Sequence, residues 1–397
     1  MIKRVICQLV PRLNSGGVER GTVDIAKALV EAGYGSVVIS EGGRQVPLLR
    51  QNGTQVITLP VASKNPFLLW RNIRSLMQAV KNVKGSLIHA RSRAPAWSGY
   101  FAAKRLGIPF ITTYHGTYNA SWIGKKLYNR IMCLGEAVIA PSHFIKNHII
   151  STYGQWVADR IQVIHRGVDL NIFSPQQDSA QRRHEVRLHW GITDPDAFVW
   201  LLPGRFTRWK GHLDFIQAFH MLIQQNPHQP IYGVLLGEKQ ENTPYINEIN
   251  QLIQRLGMGL HLKMLNVSDD MPAQYLACDT VVVPSTDPEA FGRVMAEAHA
   301  MGRLVVATNH GGAREIVLPG ETGWLVPPHD IHELLSALTA CTALPLDERK
   351  RWEKNARHHV EQNFTLEMMQ QKTLALYTLC LSNPGVVERR DSRSVTY

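Results

Sequence analysis

The chain has 397 residues, is 44% hydrophobic and 19% charged, and carries a formal net charge of +11, which is the composition of an ordinary globular protein long enough for two domains. Five scattered cysteines without a C-x-x-C pair exclude a disulfide framework and a zinc site, and no uncharged apolar run nears the ~18–20 residues that cross a bilayer. The apolar run before Pro11-Arg12 is too short for a signal peptide, so a cytoplasmic protein is expected.

The opening Val5-Ile6-Cys7-Gln8-Leu9-Val10 reads as a strand that ends in Asn14-Ser15-Gly16-Gly17, with a helix from about Val18 to Glu31 and a further strand at Val37-Val38-Ile39. This is a β-α-β unit with glycines at its first crossover. Gly16 and Gly17 either serve a tight turn or let the backbone approach a ligand closely. They lack the G-x-G-x-x-G spacing of a dinucleotide fingerprint.

Alternation continues through Gln55–Leu59, a helix from Pro66 to Lys81, Leu87–Ala90, a helix over Trp97 to Leu106, and Phe110–Thr113. The helix from Pro66 pairs an apolar face with Arg71, Arg74 and Lys81. It is either a core helix with a solvated basic edge or an interfacial surface for anionic lipid. His115-Gly116 directly follows a strand end, where open α/β sheets hold ligands. Pro141-Ser142 reads as a helix N-cap. A charge-rich stretch then follows residue 175 and separates two α/β halves near residues 172–176.

The second half begins with the strand Phe198–Leu202, which ends in Gly204-Arg205-Phe206-Thr207-Arg208-Trp209-Lys210-Gly211 before a helix from Leu213 to Ile223. Two cations beside a helix N-terminus suit a diphosphate leaving group. Strands are expected at Ile231–Leu236, Leu262–Val267, Thr280–Val283, Leu304–Ala307 and Gly323–Val326. A helix is placed near Phe291, behind two prolines and Glu289. Asp194-Pro195-Asp196 is formally a metal-binding pair, but it precedes a strand in a turn and reads as loop. The charge is uneven: residues 1–172 hold 22 Lys+Arg against 7 Asp+Glu (+15), the remainder 21 against 25 (−4). The first half therefore suits an anionic partner.

Glu289 and Glu297, seven residues apart across a strand–turn–helix, together with Gly204-Arg205…Lys210-Gly211, Gly167-Val168-Asp169 before Phe173-Ser174-Pro175, and His115, resemble the motifs of retaining glycosyltransferase family 4. The resemblance covers roughly residues 3–381. It implies an α/β, GT-B fold, two Rossmann-like domains facing across a cleft. The boundaries expected are an acceptor-side domain at 1–172 and a nucleotide-sugar domain at 173–360. A helix at 361–383 would return to the first domain, and a disordered tail would occupy 384–397.

The resemblance also implies roles. Glu289 would hold the donor sugar and Glu297 the ribose, with Arg205 and Lys210 on the diphosphate and Val267 beside the nucleobase. The backbone of Phe291-Gly292-Arg293 would lie at the sugar and phosphate, and His115 with Gly16-Gly17 would close from the first domain. No metal or other cofactor is expected. The partners expected are a nucleotide-diphosphate sugar, an anionic glycolipid acceptor of the lipopolysaccharide-core kind, and a peripheral contact with the inner face of an anionic membrane, with no nucleic acid. A soluble sugar acceptor, or a basic nucleic-acid-binding protein, is the alternative.

Overall fold

The computed structural model describes residues 4–14, 16–63, 65–118, 121–177, 179–238 and 243–382. The expected tail at 384–397 lies outside the described residues. The chain divides into two compact units. One runs from the N-terminus to Gly167 and takes back the chain from Leu366; the other is Val168–Thr365. The crossings thus fall at 167/168 and 365/366 rather than near 172 and 360. The physical reason is local pairing: Val168 forms a parallel bridge with Thr365 and donates its N–H to Phe364 O at 2.8 Å.

The first unit holds a seven-stranded parallel sheet of Val5–Leu9 (β1), Gly35–Ser40 (β2), Gln55–Thr58 (β3), Gly85–Ala90 (β4), Phe110–Thr113 (β5), Ala137–Ala140 (β6) and Ile161–Val163 (β7). The spatial order is β3-β2-β1-β4-β5-β6-β7. Order reverses between β1 and β4, which makes the carboxyl ends of those strands the switch-point crevice. The helix Leu366–Ser382 packs on this sheet beside the helix Gly17–Glu31, with Met369, Leu376 and Tyr377 buried against Ile6, Ile25, Leu87 and Ile139. A buried His89 fixes it further, bonding Tyr377 Oη through Nδ1 and Thr113 Oγ1 through Nε2, each at 2.7 Å.

The second unit holds a six-stranded parallel sheet of Phe198–Pro203 (β8), Ile231–Leu236 (β9), Leu262–Leu265 (β10), Thr280–Val283 (β11), Leu304–Thr308 (β12) and Gly323–Val326 (β13), in the order β10-β9-β8-β11-β12-β13. Side chains alternate between two apolar cores. Val199, Leu201, Val281, Val283 and Val305 enter one; Trp200, Leu202, Val282 and Val306 enter the other. Both faces being covered explains why these strands read as continuous apolar runs. The switch point here lies between β8 and β11.

Local chemistry sets the helix ends. Asn65 caps Pro66–Asn82 by accepting from Phe67 N–H, Ser142 caps His143–Tyr153 through Ile145 N–H, and Thr243 caps Pro244–Arg255 through Ile246 N–H. The helix expected near Phe291 starts at Arg293. Gly292 stands before it at φ +107°, a left-handed conformation that cannot belong to the helix itself. Asp194 and Asp196 lie in a turn closed by Asp196 N–H to Asp194 Oδ1.

Candidate active site

In the second unit the site builds at the carboxyl ends of β8 and β11. After β8 the chain turns through Gly204, and the Lys210 stem lies over that glycine. A short 3-10 turn, Arg208–Lys210, then passes through Gly211 at φ +72° into the helix His212–Gln225. Gly211 presses on the carbonyl of Pro284, and Thr286 N–H donates to Trp209 O at 2.7 Å, so the two strand-end loops are joined backbone to backbone.

Glu289 stands on the second of these loops. Lys210 Nζ donates to its Oε1 at 2.5 Å and Ser285 Oγ donates to the same oxygen at 2.9 Å. The two charged side chains are 11% and 16% exposed, so water screens the pair weakly. The backbone of Glu289 is clamped by the β12 loop: Gly312 N–H donates to its carbonyl at 2.8 Å, and Gly311 packs where a side chain would strike the Glu289 amide. Ser285 O in turn accepts from Thr308 Oγ1, with His310 Nε2 at 2.8 Å. Arg205 is exposed on the β8 loop.

Phe291 is buried against Phe364, so its ring serves the core, and Gly312 packs on its backbone. No side chain caps the helix Arg293–Ala300, whose N-cap is Gly292. The Arg293 guanidinium folds back along the helix onto Glu297 Oε1 at 2.8 Å, and Tyr275 Oη donates to Glu297 Oε2 at 3.2 Å. Glu297 is 8% exposed, its side chain held by these two partners. Burial, then the adjacent Glu297 charge, pushes the Tyr275 hydroxyl well above its usual value, so it stays a donor. Val267 is exposed where β10 ends, its N–H donating to Gly237 O at 3.1 Å.

The first unit gathers a second set of residues at its own strand ends. Gly16, at φ +142°, is the N-cap of Gly17–Glu31, and its carbonyl accepts from Arg20 N–H. A Cβ there would meet only the movable end of the Glu19 side chain, so it is the positive φ that favours glycine. His115 follows β5, and Arg166 bonds its Nδ1. A guanidinium only donates, so Nδ1 accepts and the ring proton belongs on Nε2. That Nε2 is buried beside the Arg91 backbone and, among the described residues, makes no hydrogen bond of ordinary geometry. Burial first, then the charges of Arg166 and Arg91, hold the His115 pKa well below its usual value. It is a neutral donor. Arg91 itself is buried and donates to Gln8 Oε1 at 2.8 Å. A Cβ on Gly21 would sit 2.6 Å from Arg166 Nη1 and 3.1 Å from Arg91 Nη2, so that glycine admits both guanidinium groups.

Lys210 and Glu289 are therefore in contact, with Arg205 on the same loop as Lys210, and Glu297 lies on the helix that follows. His115, Gly16 and Gly17 belong to the other unit. Sequence reasoning missed Ser285, Tyr275 and Arg91. Ser285 adjoins Pro284 at a strand end and Arg91 immediately follows β4, so position could have marked both; nothing local marks Tyr275.

Residues 15–172 match the family model Glycosyltransferase Family 4, and residues 191–359 match Glycosyl transferases group 1. A glycosyltransferase from Rickettsia africae ESF-5 is similar in structure, with TM-score 0.88 and 34% identity over 96% of this chain and 100% of that one. Anabaena HepE, solved with UDP and glucose, has TM-score 0.81 at 24% identity over 94% and 99% of the two chains. That similarity bears on fold. The D-inositol 3-phosphate glycosyltransferase of Kribbella flavida is 29% identical over 73% of this chain and 70% of its own length.

Proposed function

Since the chain belongs to glycosyltransferase family 4, with the GT-B fold, we propose that it is a retaining hexosyltransferase acting from a nucleotide-diphosphate sugar. The single observation that carries the donor assignment is the convergence of Lys210 and Glu289 at the β8/β11 switch point, with Glu297 buried on the next helix. Glu297, held by Arg293 and Tyr275, takes the ribose hydroxyls. Lys210, Arg205 and the helix start at Gly292 offset charge on the diphosphate, which grows as the C1–O bond breaks. Glu289 holds the sugar. The acceptor oxygen bonds C1 on the face the phosphate leaves, and its proton passes to the departing phosphate oxygen. No enzyme nucleophile and no metal enters this scheme.

The acceptor in this reading is anionic and is held by the basic first domain. A glycolipid is favoured by one helical layer. The helices Pro66–Asn82, Arg93–Leu106 and Ile123–Arg130 follow successive right-handed crossovers in one direction and so cover one sheet face. They expose Phe67, Trp70, Trp122, Ile123 and Leu127, with Arg74 stacked 4.0 Å over Trp70. Residues 65–160 hold thirteen Lys and Arg against two acids, Glu136 and Asp159. Aromatic anchors among cations suit an anionic leaflet. Among the described residues no helix is long and apolar enough to cross a membrane. A soluble phosphorylated sugar is the second reading, favoured by the inositol 3-phosphate named for the Kribbella relative.

A thermal-shift panel of UDP, GDP, ADP and CMP sugars tests the donor assignment. One sugar nucleotide should raise the melting temperature by several degrees in the wild type and not in Glu297→Ala. Silence across the panel would refute it.

A further inference from the structure

The proposed reaction asks Lys210 to face the diphosphate and Glu289 to face the sugar, yet these two groups bond each other at 2.5 Å. Their anchoring differs. The Glu289 carboxylate is fixed by Ser285 Oγ, and its backbone is clamped by Gly312 N–H. Lys210 is a point charge on a four-carbon stem with three donors, its stem packed over Gly204 and its Nζ 4.4 Å from the Trp209 ring centroid. Both side chains are more than four-fifths buried, so whatever Lys210 gives to an arriving anion is set against what Glu289 already takes.

We propose that Glu289 competes with the diphosphate for Lys210, and that the donor sugar relieves this competition by engaging Glu289. Sugar and diphosphate are then favourably coupled within one donor molecule, because each lowers the cost of the other's partner. Once the sugar has been transferred, Glu289 retakes Lys210, and the bare nucleoside diphosphate loses a cation and leaves. Glu289 is thus both a sugar-binding group and the element that discriminates substrate from product. This inference rests on the donor reading of the pocket.

Calorimetric titration of UDP against UDP-glucose, and of GDP against GDP-mannose, tests it on wild type, Glu289→Gln, Lys210→Met and the double variant. Glu289→Gln keeps the shape and the Ser285 bond, and thermal unfolding checks that it folds. For the pair that binds, Glu289→Gln should tighten the bare diphosphate by roughly 10-fold without tightening the sugar nucleotide. In the Lys210→Met background that gain should vanish. A gain that survives there is the general field of a removed charge and overturns the proposal, as does no gain at all. Sugar nucleotides that bind with an unmoved ratio sink only this inference. Failure of both pairs, and of ADP against ADP-glucose titrated in the same way, to bind the wild type removes the donor reading and the inference together.

Discussion

Lys210 lies over Gly204 with its ammonium hydrogen-bonded to Glu289. Removing the ammonium leaves the loop geometry, which rests on backbone contacts, in place. Lys210→Ala should therefore lower kcat by roughly 100-fold or more, the typical effect of losing one preorganised charge donor, on top of a lowered melting temperature from leaving the Glu289 carboxylate without its cation. Full activity in this variant would refute the assignment. Tyr275 acts one step further back, through Glu297 Oε2. Tyr275→Phe should raise the donor KM several-fold with kcat nearly unchanged, since it loosens a binding carboxylate rather than a reacting one. An unchanged KM would reduce Tyr275 to a core residue.

At the scale of elements, the joint between the β8 and β11 loops has no room for a side chain at Gly211. Its φ of +72° disfavours any other residue, and its Cα faces the Pro284 carbonyl. Gly211→Ala should cost roughly 2 kcal/mol or more, readable in urea unfolding, and should depress turnover because Lys210 is the preceding residue. The helical layer of the first unit makes a separate prediction. Trp70→Ser combined with Trp122→Ser should cut binding to vesicles containing anionic lipid by roughly 10-fold, and raised salt should weaken the wild type similarly. Vesicle binding that ignores both would leave the soluble acceptor as the better reading.

For the whole molecule, buried neutral histidines set the acid limit. His212 is fully buried, and burial, then the Lys210 charge, lowers its pKa to about 3. His299 is lowered to about 4 by burial. In the unfolded chain each takes a proton near pH 6.5, whereas in the folded chain neither does until far lower. Stability is therefore full above about pH 6.5 and falls as pH drops toward 3, by roughly 1.4 kcal/mol per pH unit for each such histidine. His212→Gln should flatten the urea midpoint between pH 6 and 4 relative to wild type. Parallel curves would show that His212 gains its proton without unfolding.

Apolar runs and glycine breaks alone located Thr280–Val283, Ile231–Leu236 and Gly323–Val326 at their observed bounds, because strands buried on both faces must be continuously apolar. Glu289, Lys210 and Glu297 were legible as motif residues, since strand-end loops in this architecture carry the chemistry. The helices Ile331–Thr342 and Leu346–Asn363 were not singled out, the second because its many charges mask a thin buried stripe of Trp352, Ala356 and Val360. Only the tertiary structure could decide that Lys210 meets Glu289, that Tyr275 supports Glu297, or that Arg91 and Arg166 share the space left by Gly21. Those pairs lie tens of residues apart in the chain, and their meeting is fixed by strand order, which no local pattern encodes.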